Sequence, residues 1–355
     1  MRILLTGGGT GGHVIPNMAI IEELRERKIV EIKYVGSKNG PEKRLVERAG
    51  IDFEGITCGK LRRYFSLENF VDFFRVPVGI VQAYKILKQY QPAVVFSKGG
   101  YVSFPVTVAA WKLKIPVILH ESDVVPGLAN RLSMKFAKKI CISFEETKNY
   151  LSKKLLKKTV FTGNPVRESI FGGNREEGLK FVGLNEHRPI ILAMGGSQGA
   201  LQINTLIRSA LDELLKKFQV IHIAGRGNLD IGIHKTGYKQ YEYLDENLKD
   251  IYAVTDIVIS RGGANSLTEI GLLKKKAVII PLSTEGSRGD QIENSRIFVR
   301  KFGWSMLSGN VSQQDFIDAI FLAFDNPTKI SGDEIPNGRN TIVDLILNKG
   351  AGKSA

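Results

Sequence analysis

Read from its first residue, the chain alternates short apolar runs with longer segments whose apolar positions recur every three or four residues. The runs Ile3 to Leu5, Ile32 to Val35, Ala93 to Ser97, Val117 to His120, Ile140 to Ser143 and Val160 to Thr162 fill the first half. Ile190 to Met194, Val220 to Ala224, Ile257 to Ser260 and Ala277 to Pro281 fill the second. Continuous apolar runs of this length are what strands need when both faces of a sheet are covered. Between them, Val14 to Arg27 carries Ile15, Met18, Ala19, Ile21 and Leu24 at helical spacing, and Leu201 to Lys217 reads the same way. A further helix starts near Gln313 and is stopped by Asp325-Asn326-Pro327, and Asn340 to Leu347 reads as a last short one.

Strand and helix in alternation predict an α/β fold with doubly wound parallel sheets. The scheme restarts at Pro189, so two Rossmann-like domains are expected. The seam falls in the Gly-Asn-Pro break of Thr162 to Arg167. This predicts a first domain over 1–164 and a second over 165–337, with the final helix, about 338–355, free to pack back on the first. Ligands of such a pair belong in the cleft at the carboxyl ends of the strands.

Composition narrows this picture. A chain of 355 residues, 43% hydrophobic and 24% charged, exceeds the size at which single cores stop growing. No run of eighteen apolar residues and no signal-peptide pattern is found, which predicts a cytoplasmic protein. Cys58 and Cys141 have no His or Cys at metal spacing and read as ordinary half-buried thiols. A net charge of +14 calls for an anionic partner: a phosphate-bearing substrate, an anionic membrane surface or nucleic acid. No basic-aromatic motif supports the last.

The candidate chemistry lies where strands meet helices. Gly7 to Gly12 holds five glycines in six residues between the first strand and the first helix, and this is an arrangement for binding a phosphate. It also fits G-x-G-x-x-G, but the second strand ends in Gly36-Ser37-Lys38. The only nearby acid, Glu31, precedes that strand, which argues against a dinucleotide. His13 follows the loop directly, where the helix dipole disfavours imidazolium. The ring then serves as a general base, or it only caps the helix or binds an anion. Glu121, in the polar string His120-Glu121-Ser122-Asp123 at a strand end, reads as a site residue. A second turn, Lys98-Gly99-Gly100-Tyr101, supplies a second backbone nest in the same half, as a diphosphate needs. In the other half, Gly195 to Ala200 and Arg261 to Glu269 repeat strand, glycine turn and helix. Taken alone, Glu269 is either a ribose ligand or a glutamate favoured by the dipole. Asp290-Gln291-Ile292-Glu293-Asn294 opens another helix with groups that could read sugar hydroxyls. Finally, Phe70, Phe73 and Phe74, with Lys60, Arg62, Arg63 and Arg75 around them, form an aromatic-basic patch. Neighbouring phenylalanines cannot all face inward, and partial membrane insertion is the reading favoured here.

Taken together these strings resemble the MurG family of peptidoglycan glycosyltransferases, glycosyltransferase family 28. The resemblance spans nearly the whole chain through GGGTGGHV, SKGGYVS, HES followed by PGLANR, TGNPVR, GGSQGA, SRGGA followed by Glu269, and the Gln291/Asn294 pair. It implies a GT-B fold and an inverting transfer of N-acetylglucosamine from UDP-GlcNAc to the MurNAc C4 hydroxyl of lipid I, the undecaprenyl-pyrophosphoryl-MurNAc-pentapeptide, giving lipid II. No cofactor or dedicated metal site is implied. It places Thr10, Gly11, Gly12, Asp123, Arg167, Ser197, Gln198, Gly199, Leu244, Ala264, Asn265, Ser266, Glu269, Asp290, Gln291 and Asn294 against the donor. Gly8, Gly9, Thr10, Gly11, Gly99, Gly100 and Tyr101 go to the acceptor diphosphate. His13 or Glu121 is the base. The cytoplasmic face of the cell membrane, and cell-wall synthesis proteins, are the implied surroundings. Asp123 and Asp290 stand where many members have amides, and Asn265-Ser266 replaces a more usual Leu-Thr. A carboxylate accepts hydrogen bonds but cannot donate them, so these departures bear on the donor sugar.

Overall fold

The structure is a computed structural model that describes residues 1–9, 11–27, 30–59, 67–196, 200–283, 289–326 and 335–348, with backbone alone for 67–73. The chain divides into two compact units, Met1–Arg167 with Pro336–Ala355, and Glu168–Ile335.

The first unit is built on a parallel sheet of β1 (Arg2–Thr6), β2 (Glu31–Ser37), β3 (Asp52–Ile56), β4 (Val94–Ser97), β5 (Val117–Glu121), β6 (Lys139–Ile142) and β7 (Thr159–Phe161). Its order is β3-β2-β1-β4-β5-β6-β7. Alternation along β1 shows why apolar runs were required. Ile3 and Leu5 face one layer, with Ile20 and Leu24 of helix Gly11–Arg27 and Ile342, Val343 and Ile346 of helix Arg339–Leu347. Leu4 faces the other, with Ala83 and Leu87 of helix Leu67–Tyr90 and Val106 and Ala110 of helix Ser103–Lys112. The closing helix is also tied to the opening one by ion pairs from Arg339 to Glu23 (2.7 Å) and from Arg27 to Asp344 (2.5 Å). The chain leaves and re-enters this unit side by side: Val166 N–H donates to Asn337 Oδ1 at 3.0 Å, and Gly338 N–H to the Asn164 carbonyl at 3.0 Å.

The second unit has β8 (Ile190–Met194), β9 (Gln219–Ile223), β10 (Tyr238–Tyr241), β11 (Ile257–Ser260), β12 (Lys276–Ile279) and β13 (Ser305–Met306), in the order β10-β9-β8-β11-β12-β13, all parallel. Helix Leu201–Lys217 lays Ile203, Leu206, Ile207, Ala210, Leu211 and Leu214 on that sheet, an apolar stripe at spacings of three and four.

Three sequence expectations need correction. The opening helix begins at Gly11, not Val14, because Gly11 and Gly12 enter the helix rather than the turn. Strands β3, β10 and β13 had no apolar run to announce them. Cys141 is fully buried rather than half-buried, while Cys58 is intermediate.

Candidate active site

In a doubly wound sheet, the strand order reverses at one place, where the loops leaving two neighbouring strands turn to opposite faces and open a crevice. In the first unit that place lies between β1 and β4. The loops flanking it are Gly7–Gly12 and Lys98–Val102, the two glycine turns of the sequence. They pack on one another. Gly9 (φ 89°) and Gly100 (φ 83°) are in the left-handed region that favours glycine. A Cβ on Gly9 would meet the Tyr101 ring at 2.4 Å; one on Gly100 would meet the Gly8 carbonyl at 2.5 Å and His13 Cδ2 at 3.0 Å. His13, third in its helix and half-buried, thus lies against the second turn.

Residues distant in sequence set this geometry. Tyr34 donates to the Gly7 carbonyl at 2.6 Å, and Asn17 Nδ2 donates to Tyr34 at 2.8 Å. The buried Glu42 carboxylate accepts from Ser37 N–H (2.7 Å) and Oγ (2.5 Å) and from Gly9 N–H (3.3 Å). Gly9 therefore spends its donor inside the protein, while Gly8 stays in the turn and Gly11 opens the helix. Neither Tyr34 nor Glu42 belongs to a motif, so no sequence signal pointed to them.

Glu121 ends β5, one strand from the crevice. It is 3% exposed and surrounded by donors. Its carboxylate accepts from Asp123 N–H at 3.0 Å, Gly127 N–H at 3.2 Å and Asn130 Nδ2 at 2.8 Å. It braces the loop that carries the half-buried Asp123. Burial, then the Asp123 charge, push its pKa up to about 7 against those hydrogen bonds. Asn130, in turn, is what a Cβ on Gly99 would strike, at 2.4 Å, so the brace reaches the second glycine turn.

In the second unit the order reverses between β8 and β11, flanked by Gly195 and Gly196 after β8 and by Arg261 to Gly263 after β11. Gly196 is left-handed (φ 84°); Ser197, Gln198 and Gly199 lie outside the described residues, as does Thr10 in the first unit. Helix Ala264–Leu272 starts right after Gly263, so Ala264, Asn265 and Ser266 form its first turn and carry N–H groups without intrahelical acceptors. Glu269 is its sixth residue and is 8% exposed. Asp290 opens helix Asp290–Phe302 after the left-handed Gly289. Gln291 accepts from Leu282 N–H at 3.1 Å and Asn294, fully buried, donates to the Gly262 carbonyl at 3.3 Å. Both thus hold neighbouring loops in place. Leu244 is half-buried in the loop leaving edge strand β10, and Arg167 closes the first unit's opening segment.

Helix Leu67–Tyr90 presents a contiguous outer stripe: Phe74, Val78 and Val81 are 58%, 48% and 56% exposed, and Tyr84 follows. Arg75, Lys85 and Lys88 flank them on exposed positions. Trp111, on the adjacent helix, is 54% exposed. Val81, Tyr84 and Trp111 were not singled out from sequence. The side chains of Phe70 and Phe73, and residues Arg62 and Arg63, lie outside the described ones. Among the described residues, no helix is long and apolar enough to cross a membrane.

The glycosyltransferase family 28 N-terminal domain matches residues 3–142, and the C-terminal domain of that family matches residues 190–333. A Clostridium tetani protein named "UDP-N-acetylglucosamine--N-acetylmuramyl-(pentapeptide) pyrophosphoryl-undecaprenol N-acetylglucosamine transferase" is 46% identical over 352 residues, 97% of each chain. One of the same name from Legionella pneumophila (strain Paris) is 50% identical over 353 residues, 97% of this chain and 96% of its own. The crystal structure of Acinetobacter baumannii MurG matches with a TM-score of 0.72 over 98% of this chain and 99% of that one; at 22% identity it is a likeness of fold.

Proposed function

The chain belongs to glycosyltransferase family 28, and from that premise we propose how its two units divide one reaction. It is an N-acetylglucosaminyltransferase that moves the sugar from UDP-N-acetylglucosamine to N-acetylmuramyl-(pentapeptide) pyrophosphoryl-undecaprenol, lipid I, producing lipid II. The observation that carries the division of labour is that in each sheet a glycine-containing segment leaves the strand on either side of the reversal point.

The second unit takes the donor. The first-turn N–H groups of Ala264, Asn265 and Ser266, with the Gly195 to Ala200 turn and Ser197, hold the UDP diphosphate. Glu269 takes the ribose hydroxyls, the Leu244 backbone the uracil, and Gln291 the sugar. The first unit takes the acceptor diphosphate on Gly8, Gly11, Gly99, Gly100 and Tyr101. His13, against that nest, removes the proton of the attacking C4 hydroxyl. Attack from the face opposite the leaving UDP inverts the anomeric centre, and helix N-terminal N–H groups stabilise the charge that develops on the diphosphate. Glu121, enclosed by three donors, positions the loop bearing Asp123 and does not itself take the proton. The exposed apolar stripe of helix Leu67–Tyr90 and its basic neighbours support reversible docking on the anionic cytoplasmic face of the membrane, where the acceptor is anchored.

Radiolabelled UDP-GlcNAc with lipid I in mixed micelles tests the reading. Label should pass to the lipid with one UDP released per transfer. Absence of transfer where a known lipid II-forming enzyme works would reject it.

A further inference from the structure

The side chain of Lys98 plays no part in the roles assigned so far, and it is fully buried. It is the first residue after β4, and its N–H donates to the Thr6 carbonyl of β1 at 2.9 Å, so it stands on the reversal point itself. Its stem passes under the first glycine turn: a Cβ on Gly7 would stand 3.1 Å from Lys98 Cβ. Its ammonium donates to Ser122 Oγ, the one hydroxyl between Glu121 and Asp123.

A buried ammonium is very costly unless opposite charge lies close by. The two carboxylates flanking Ser122 supply that charge, and Glu121 is itself buried. Asp123 adds a second negative charge to the loop. Lys98 answers it.

We infer that Lys98 is a positioning residue whose ammonium compensates the Glu121–Asp123 pair and thereby holds the β5 loop against the second glycine turn. The inference rests on the reading that this turn and loop belong to the acceptor site.

The electrostatics run in the same sense. Burial brings the Lys98 pKa down to about 8, against the pull of Glu121 and Asp123, while Lys98 opposes the upward push on Glu121. His120, fully buried next to Glu121 in β5, is held neutral by burial, by Lys98 and by His13, and its Nε2 pairs with the Gly163 carbonyl at 3.0 Å. Lys98 is therefore a cation that the two carboxylates feel from the end of β4, with Asn130 a neutral donor to Glu121 from helix Leu128–Ser133.

The test is a charge-exchange cycle in the full-length protein: Lys98→Met, Asp123→Asn and the double variant, read by thermal unfolding from pH 6 to 9 and by the pH dependence of kcat. Lys98→Met should lower the unfolding midpoint, and the part of that loss recovered by Asp123→Asn should be largest at pH 7–8, where Glu121 is ionised and Lys98 still carries its proton. Lys98→Met should also raise the acidic limb of the kcat profile by about one pH unit. Asp123→Asn alone should move that limb down, and the double variant should recover most of both losses. Additive losses in the double variant, with no rescue at pH 7–8, would overturn the inference and leave Lys98 as a packing residue. Rescue of stability without any movement of the kcat limb would uphold the compensation and instead remove Glu121 and its loop from the chemistry proposed above. If Lys98→Met does not fold, its recovery as a folded protein in the double variant supports compensation, and failure of the double variant as well rejects it.

Discussion

His13 owes its place to glycine on both sides. Gly11 and Gly12 precede it in the helix, and Gly100 leaves room for its ring, since a Cβ there would stand 3.3 Å from Nε2. A general base typically contributes ~10²–10⁴-fold, so His13→Ala should lower kcat by about 100-fold or more with donor KM changed only a few-fold. Steady-state kinetics at saturating lipid I check this; a near-parental kcat would dismiss the ring as base. A second histidine makes the opposite use of burial. His222, fully buried in β9, pairs with Tyr238 Oη at 2.8 Å and Asn204 Oδ1 at 2.9 Å. Burial, with Arg208 nearby, lowers its pKa from 6.5 to about 4. The sign follows: the neutral ring is the folded form's preference, so this stabilisation is complete above pH 6.5 and is lost as pH falls toward 4. The unfolding midpoint of the second unit should therefore drop across that window. His222→Gln, which keeps a donor and an acceptor but does not titrate, should flatten the drop in calorimetric scans. The glycine turns and His13 were legible because their chemistry is local, a strand end followed by glycines. Tyr34, Glu42 and Asn17 were not, since each is one polar residue in an ordinary element and reaches the turn only through the fold.

Among whole elements, helix Leu67–Tyr90 is the one whose two faces disagree. Ala83 and Leu87 are buried in the first unit's core, while Phe74, Val78 and Val81 face outward. Burying such side chains in a lipid surface is worth roughly 1.5–3 kcal/mol each, and a basic residue near anionic lipid adds about 1 kcal/mol. Phe74→Asp with Val81→Asp should abolish flotation with vesicles containing anionic phospholipid, while circular dichroism stays unchanged. Flotation that persists would assign the stripe to something other than lipid. The same scale explains which strands could be read in advance. β3, β10 and β13 all lie at sheet edges, where one flank is solvated and polar residues are tolerated: β3 reads Asp-Phe-Glu-Gly-Ile and β10 Tyr-Lys-Gln-Tyr. Interior strands are apolar on both faces and announce themselves. The glycine-rich joints beside them were visible for the same reason, but which two joints flank each reversal point depends on strand order, a property of no single segment.

At the scale of the whole molecule, the second unit, Glu168–Ile335, is an insertion within the first. Helix Arg339–Leu347 contributes Ile342, Val343 and Ile346 to the layer formed with Ile3, Ile20 and Leu24. Losing even one such side chain costs about 2–5 kcal/mol, against a total stability for a domain of ~5–15 kcal/mol. Truncation after Ile335 should therefore abolish cooperative unfolding of the first unit in hydrogen exchange, while the second unit keeps its protected core. Equal protection in both units would refute this. The consequence reaches the ribosome. Chain emerges from one end only, so the second unit has all its residues while the unit begun earlier still lacks its last layer. The first unit starts first and finishes last. Until the final helix is released, the Ile20 and Leu24 face has no cover, and a prematurely terminated product would display that apolar surface to chaperones and proteases before any acceptor could be bound.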